Sequence, residues 1–149
     1  MTRQLALPPW LVVLTRLQLG ASFVFSDHGN APGELSGFLD YATHNAFSWY
    51  AAFLHAVVLP RAALFGTLVV VAELYAGFAM ILGLTTRLAA TVALFLLVNY
   101  LCAKGRMPWN PGIDPSDVVV ALIVLVTAAG RTFGIDRFLH DRFPRVPLW

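Results

Sequence analysis

Long apolar runs separated by short polar segments dominate the chain, and four of these runs are predicted to be helices. The predicted helices cover residues of about 8–26, 62–84, 87–103 and 115–130. An apolar run that approaches the ~20 residues needed to cross a bilayer is typical of a membrane helix. We expect Gly83 to end the second helix, and Thr85 or Thr86 to cap the third. The short turn between the second and third helices predicts an antiparallel hairpin.

Residues 31–61 do not fit this pattern. The segment begins polar, with Glu34 and Asp40, and then becomes apolar and aromatic. Its apolar part has about 10–14 residues, a length typical of an interfacial or re-entrant segment. We therefore expect such a segment between the first two helices, with a fifth short membrane helix as the alternative. After Gly130, apolar residues that fall near one helical face predict a short amphipathic C-terminal helix.

Composition supports a lipid environment for most of the chain. Of 149 residues, 58% are hydrophobic and 12% are charged, whereas soluble domains carry about 25% charged residues. We expect a single all-α domain over residues 1–149, an integral membrane four-helix bundle. The net charge of +2 is too small to favour nucleic acid as a partner. Cys102, the single cysteine, excludes an intramolecular disulfide and a C-x-x-C redox pair.

Arg16 and Glu73 are the two charged residues that interrupt the apolar runs of the first and second helices. A charge at the centre of a bilayer costs about 2.5–3.5 kcal/mol on insertion scales, so it persists where it faces a partner, a cavity or a ligand. Helical spacing places Arg16 on one face with Gly20, and Glu73 on one face with Gly77. Counting from the helix ends places both charges at similar depth. Three interpretations follow: a structural ion pair, a site for a quinone headgroup or a proton path, or two residues that never meet.

A second group of polar residues is expected at the outer ends of the predicted helices, on the side of the membrane away from the termini. It comprises Asp27, His28, Asn99 and Asp117, all near the same ends of the predicted helices. Asn99 is notable because an amide inside a membrane helix must find a partner. The ordinary alternative is that these residues are helix caps and solvated ends. No histidine pair has a metal-binding spacing such as H-E-x-x-H, so no metal is expected, and no nucleotide loop or nucleophile elbow supports an autonomous enzyme.

Basic residues predict the orientation. With four spans, both termini lie on one side together with most of the arginines, whereas the other side carries Arg61, Lys104 and Arg106 with most of the acids. Because basic loops remain inside, both termini are expected in the cytoplasm. Five spans would separate the termini.

The helix motifs resemble a known family. Arg16 and Gly20 form an R-x-x-x-G spacing, and Glu73 and Gly77 form an E-x-x-x-G spacing. Residues 83–90 read G-L-T-T-R-L-A-A, and a closing G-x-x-x-G-I-D follows at 130–136. In this order, the motifs are similar to those of the DoxX/DoxD family of small bacterial integral membrane proteins.

The resemblance implies a four-helix bundle in the bacterial inner membrane, and one branch of the family is the membrane subunit of thiosulfate:quinone oxidoreductase. The leading hypothesis is a membrane subunit of a quinone-linked oxidoreductase complex, with quinone bound non-covalently. Its expected partners are the lipid bilayer, other membrane or redox subunits, and further copies of itself. The alternatives are a non-catalytic accessory or assembly subunit and a small-solute carrier.

Overall fold

The computed structural model describes residues 8–25, 35–107, 113–127 and 129–143, and every regular element within these ranges is helical. The α-helices in these ranges are α1 (Pro9–Val24), α2 (Leu35–Asn45), α3 (Ser48–Phe53), α4 (Ala62–Leu82), α5 (Thr86–Ala103), α6 (Ile113–Thr127) and α7 (Asp136–Arg142). Two helical runs are long and apolar enough to cross a membrane: Ser48–Leu82, which contains α3 and α4, and Thr86–Ala103, which is α5. The apolar helices Pro9–Val24 and Pro115–Thr127 are shorter.

Four helices pack around one core in a closed cycle. Helix α1 packs against α4, α4 against α5, α5 against α6, and α6 against α1. Small side chains fill much of the shared core, including Ala76, Ala89, Ala93 and Ala121, all fully buried. Small residues let helix backbones approach closely, which is the usual mode of helix packing in membranes.

Helices α1 and α4 approach each other closely at two glycines. A Cβ atom on Gly20 would lie 3.0 Å from the carbonyl oxygen of Gly77, and one on Gly77 would lie 2.6 Å from Val24 Cγ2. Gly20 and Arg16 share the buried face of α1, and Gly77 and Glu73 share the buried face of α4. The predicted glycine-bearing faces are therefore confirmed, and they fix the register of the two helices.

The turn between α4 and α5 follows the sequence closely. Gly83 has φ +65°, and the backbone N–H of Leu84 donates to the carbonyl oxygen of Ala79 at 2.8 Å. A left-handed glycine with this bond is the Schellman arrangement that closes many helices. The prediction that Gly83 ends this helix is confirmed.

The described part of the segment between α1 and α4, residues 35–61, contains two α-helices. Helix α2 packs against α3, α4 and α5, and α3 continues through a π-helical turn (Leu54–Val58) and a 3₁₀ turn (Leu59–Arg61) into α4. Pro60 accounts for the irregular turns, because proline lacks an N–H and its ring clashes with the carbonyl four residues earlier. The irregular turns let α3 pack beside α5, with Phe47 N–H donating to Cys102 O at 3.3 Å.

Candidate functional site

Glu73 lies at the centre of a polar contact between α4 and α5. Its side chain is 4% exposed, and Tyr100 donates a hydrogen bond from its hydroxyl group to the Glu73 carboxylate. Val69 and Ala72 on the same helix pack against the main apolar core, as does Tyr100. The charge predicted to face inward is thus buried and bonded to a phenol on the neighbouring helix. Carboxyl and phenol groups in contact can exchange a proton.

A cavity of about 160 Å³ lies beside this contact. Six of its lining residues are aromatic: Phe38, Tyr50, Phe53, Phe65, Phe95 and Tyr100. Two of these rings also reach the outer surface, since Phe95 is 67% exposed and Phe53 is 40% exposed. The cavity is therefore a mostly apolar space whose rim lies on the outer, apolar surface of the helices.

Asn99 and Tyr50 supply further polar groups to the cavity wall. The Tyr50 hydroxyl donates to Asn99 Oδ1 at 2.9 Å, and Asn99 Nδ2 donates to the carbonyl oxygen of Phe95 at 2.7 Å. The Asn99 amide, which was expected to need a partner, thus bonds to a tyrosine on α3 and to a backbone carbonyl of α5. Tyr100, the next residue, lines the same cavity. Three hydrogen-bonding side chains therefore line an otherwise apolar space.

The π-helical turn forms part of the same wall. Leu54 and Val58, its first and last residues, are buried and line the cavity. A π turn is wider than an α turn, and such turns are frequent at functional sites. Pro60, which accounts for the irregular turns, thereby shapes part of the cavity wall.

Arg16 belongs to a different site, at the other end of α4. Its guanidinium group donates from Nη1 to the carbonyl oxygens of Ala129 (3.2 Å) and Thr132 (3.3 Å), and from Nη2 to that of Phe133 (3.2 Å). These carbonyls belong to the 3₁₀ turn Ala129–Arg131 and to the two residues after it, and Ala129 O also accepts a hydrogen bond from the Thr132 N–H at 3.2 Å. Within the described residues Arg16 Nε is buried without a hydrogen-bond partner.

Asp136 completes the site around Arg16, which we call the arginine junction (Arg16, residues 83–86 and residues 129–136). The Asp136 carboxylate accepts hydrogen bonds from the backbone N–H groups of Thr85 at 2.6 Å and Thr86 at 2.8 Å. Thr85 stands at the N-cap position of α5, but its side chain makes no cap bond. The prediction that a threonine side chain caps this helix is therefore corrected: the cap comes from Asp136, fifty residues along the chain.

Glycines make room for the arginine junction. A Cβ atom on Gly83 would overlap Arg16 Nη1, and one on Gly130 would overlap both the Asp136 carboxylate and the Thr86 hydroxyl. Gly134 is equally close, since its Cβ would lie 2.7 Å from Arg16 Nη1. The glycines of the closing motif, Gly130 and Gly134, therefore let the backbone pack directly against the buried charged groups of Asp136 and Arg16.

The structure separates Arg16 from Glu73, so of the three interpretations the structural ion pair between them is wrong. Arg16 lies beside Gly83 at the C-terminal end of α4, whereas Glu73 lies ten residues earlier in the chain than Gly83. Ten helical residues correspond to about 15 Å. The depth estimate failed because the contact of Gly20 with Gly77 and Ile81 sets the register, bringing Arg16 to the end of α4. Both residues are buried as expected, but they serve two different sites.

The expected outer polar group is described only in part. Asp27 and His28 lie outside the described residues. Asp117, 6% exposed on α6, accepts a hydrogen bond from Gln18 Nε2 on α1 at 3.2 Å. Asn99 is bonded to Tyr50 and Phe95, as given above. Across the described ranges, no three His, Cys, Asp or Glu side chains converge as a metal site would require.

Sequence reasoning did not single out Tyr50, Tyr100 or Asp136 as site residues. The signal for Tyr100 was present, since Asn99 and Tyr100 are adjacent polar groups inside an apolar helix. Tyr50 gave no such signal, because tyrosine in an aromatic segment is typical of membrane interfaces.

The chain matches one protein-family model, described as "TQO small subunit DoxD", over residues 36–148. The match covers α2 to α7, and therefore Glu73, Tyr100 and Asp136, whereas Arg16 on α1 precedes it. No curated protein and no solved structure matches the chain.

Proposed function

Because the chain belongs to the DoxD family, whose name denotes the small subunit of thiosulfate:quinone oxidoreductase, we propose that it is a membrane subunit of a quinone-linked oxidoreductase complex. The family resemblance predicted from the motifs is confirmed by the match over residues 36–148. The family name and the apolar helices together indicate a membrane protein. A small subunit implies other subunits, which would supply the electrons from thiosulfate.

The cavity beside Glu73 and Tyr100 is the proposed quinone site. A quinone headgroup is a planar ring with carbonyl oxygens that accept hydrogen bonds, attached to an apolar tail. Aromatic walls suit the ring, and the Tyr50, Asn99 and Tyr100 side chains offer the hydrogen-bonding groups. The exposed rings of Phe53 and Phe95 give a route from the lipid phase.

The Tyr100–Glu73 contact supports a proton path to this site. Reduction of a quinone to a quinol takes up two electrons and two protons. Tyr100 lines the cavity and donates to the buried Glu73 carboxylate, so protonation of Glu73 would free the Tyr100 hydroxyl to donate towards the ring oxygen. This contact on the cavity wall is the single observation that carries the proposal of a quinone or proton site.

The proposed topology has four membrane-crossing helices (α1, α4, α5 and α6) with both termini in the cytoplasm. The α4–α5 turn lies at the same end of the bundle as α7 and the start of α1, because Gly83 contacts Arg16 and Asp136. Arg87, Arg131, Arg137 and Arg142 belong to this end, and loops rich in arginine remain inside. Tags at either terminus should therefore be accessible only after the inner membrane is permeabilised.

The quinone site is tested in the assembled complex. Thiosulfate-dependent quinone reduction should fall at least about 100-fold in Glu73→Gln, the lower range for loss of a positioned proton-transfer group. The rate of quinone reduction should fall by a similar factor in Tyr100→Phe. Asp40→Asn and Tyr41→Phe make the same chemical changes at exposed positions on α2 and should leave the rate unchanged. Normal rates in both cavity variants, with normal assembly, would exclude the proton path.

A non-catalytic assembly subunit is the second candidate. The arginine junction favours it, because the Arg16 guanidinium donates its three hydrogen bonds within the described residues to backbone carbonyls, as in a structural lock. This candidate predicts that cavity variants keep full activity, whereas Arg16 variants lose the complex. Quantifying the co-purified subunits in mild detergent, together with the reduction rate, separates the two candidates.

A further inference from the structure

The segment from Ala129 to Phe143 directs its hydrogen-bonding groups into the protein. The backbone N–H groups of Ile135 and Asp136 donate to Leu82 O at 3.3 Å and Gly83 O at 2.8 Å. The Asp136 carboxylate is committed to the N-terminus of α5. These bonds fix the segment at the shared end of α4 and α5, which belong to the two helical runs able to cross a membrane. The segment therefore lies where the chain leaves the hydrocarbon layer.

The outward side of this segment carries large apolar side chains. Phe133 is 80% exposed and Phe138 is 75% exposed, and Ile135 and Phe143 are exposed as well. Phe133 also has φ +52°, a backbone conformation that is unfavourable for a bulky residue. The turn therefore presents a large apolar ring on the surface of this segment.

The exposed charges of the same segment are mostly positive. Arg131, Arg137 and Arg142 are exposed, whereas Asp141 is the one exposed acid between residues 131 and 143. The other acid, Asp136, is fully buried in the junction. On α7, Phe138 and Arg142 are four residues apart and therefore neighbours on one face. A basic surface that carries aromatic side chains suits the boundary between anionic headgroups and acyl chains.

We propose that residues 129–143 form a membrane-surface site that binds anionic phospholipid headgroups through Arg137 and Arg142. The rings of Phe133 and Phe138 enter the acyl boundary beside these headgroups. The bound lipid holds α7 down, and α7 in turn holds Asp136 against the N-terminus of α5. Anionic lipid thereby stabilises the helix packing, and this role does not depend on the oxidoreductase proposal.

Lipid titration tests the charge contacts. The delipidated full chain in neutral detergent is titrated with phosphatidylglycerol or phosphatidylcholine, and bound lipid is counted by native mass spectrometry. We expect phosphatidylglycerol affinity to fall about fivefold for each arginine removed in Arg137→Gln/Arg142→Gln, the factor that corresponds to about 1 kcal/mol per basic residue. Arg61→Gln/Arg106→Gln removes the same charge from exposed positions outside this segment and should have little effect. An unchanged affinity in the first variant, or equal losses in both, would overturn the proposal.

Labelling tests the depth of the rings without relying on the arginines. In a Cys102→Ser background, Phe138→Cys carries an environment-sensitive dye in nanodiscs that contain phosphatidylglycerol. Nitroxide-labelled lipid should quench the dye at position 138 more strongly than the same dye at Asp40→Cys, an exposed acidic position on α2. Equal exposure to an aqueous quencher at both positions would contradict lipid insertion. If position 138 becomes shielded only after the other subunits are added, this surface binds a protein partner and not lipid, and the proposal is wrong.

Discussion

Asp136 on α7 accepts a hydrogen bond at 2.8 Å from the backbone N–H of Thr86, at the start of α5. Its second carboxylate oxygen accepts from the N–H of Thr85, so two backbone donors of the helix N-terminus are satisfied by one buried acid. The negative charge also lies at the positive end of the helix dipole. The closing motif of the chain thus acts as the cap of a helix that begins fifty residues earlier.

Asp136→Asn is expected to destabilise the bundle. The amide nitrogen cannot accept a hydrogen bond, so one N–H of Thr85 or Thr86 would be left buried and unpaired, at a cost of about 1–3 kcal/mol. The measurement is the free energy of unfolding in mixed detergent micelles. Asp141→Asn changes an exposed acid on the same helix and serves as the control. Equal stability of the two variants would show that the cap contributes nothing.

Arg16→Lys should also destabilise the protein, although the charge is retained. The guanidinium contacts three carbonyl groups with two of its nitrogens, and a lysine ammonium cannot reproduce this planar fork. Loss of one hydrogen bond from a charged donor corresponds to about 1.5–3 kcal/mol. Thermal unfolding in detergent measures the effect, with Arg61→Lys at an exposed site as the control. A melting temperature equal to that of the control would contradict a role for the fork.

Two glycine-to-alanine substitutions should have opposite effects. Gly130→Ala places a methyl group onto the Asp136 carboxylate and the Thr86 hydroxyl, and overpacking of this kind costs about 1–3 kcal/mol. Gly37→Ala on α2 meets nothing within 4 Å and should stabilise the helix by about 0.5–1 kcal/mol. The two melting temperatures, measured side by side, check the prediction. A rise in melting temperature for both would mean that the space around Gly130 is not limiting, and a fall for both would mean that Gly37 is needed on α2.

The sequence predicts local features of this fold well. Gly83 ends α4 because the left-handed turn depends only on its neighbours. The buried positions of Arg16 and Glu73 also follow from the sequence, because helical spacing assigns them to the glycine-bearing faces. In both cases the information lies within one or two turns of the residue concerned.

The partners of these residues could not be obtained in the same way. Arg16 meets carbonyl groups at 129–133 because the contact of Gly20 with Gly77 and Ile81 sets the register of α1 on α4. Counting from predicted helix ends misjudges this register by several residues. The bond of Tyr50 to Asn99 likewise requires α3 to lie beside α5, which depends on the irregular turns at Pro60.

Filling the cavity gives the most direct test of the proposed quinone site. Val69 lines the cavity, whereas Val71 on the same helix is 59% exposed. Val69→Trp should therefore occupy the space intended for the ring, while Val71→Trp adds the same side chain on the outer surface. We expect the apparent KM for quinone to rise at least about tenfold in Val69→Trp, equivalent to about 1.4 kcal/mol of binding free energy. Subunit co-purification should be normal in both variants, so that the change reports binding. If Val69→Trp keeps the wild-type KM in an intact complex, the quinone binds elsewhere, and the Tyr100–Glu73 contact is structural.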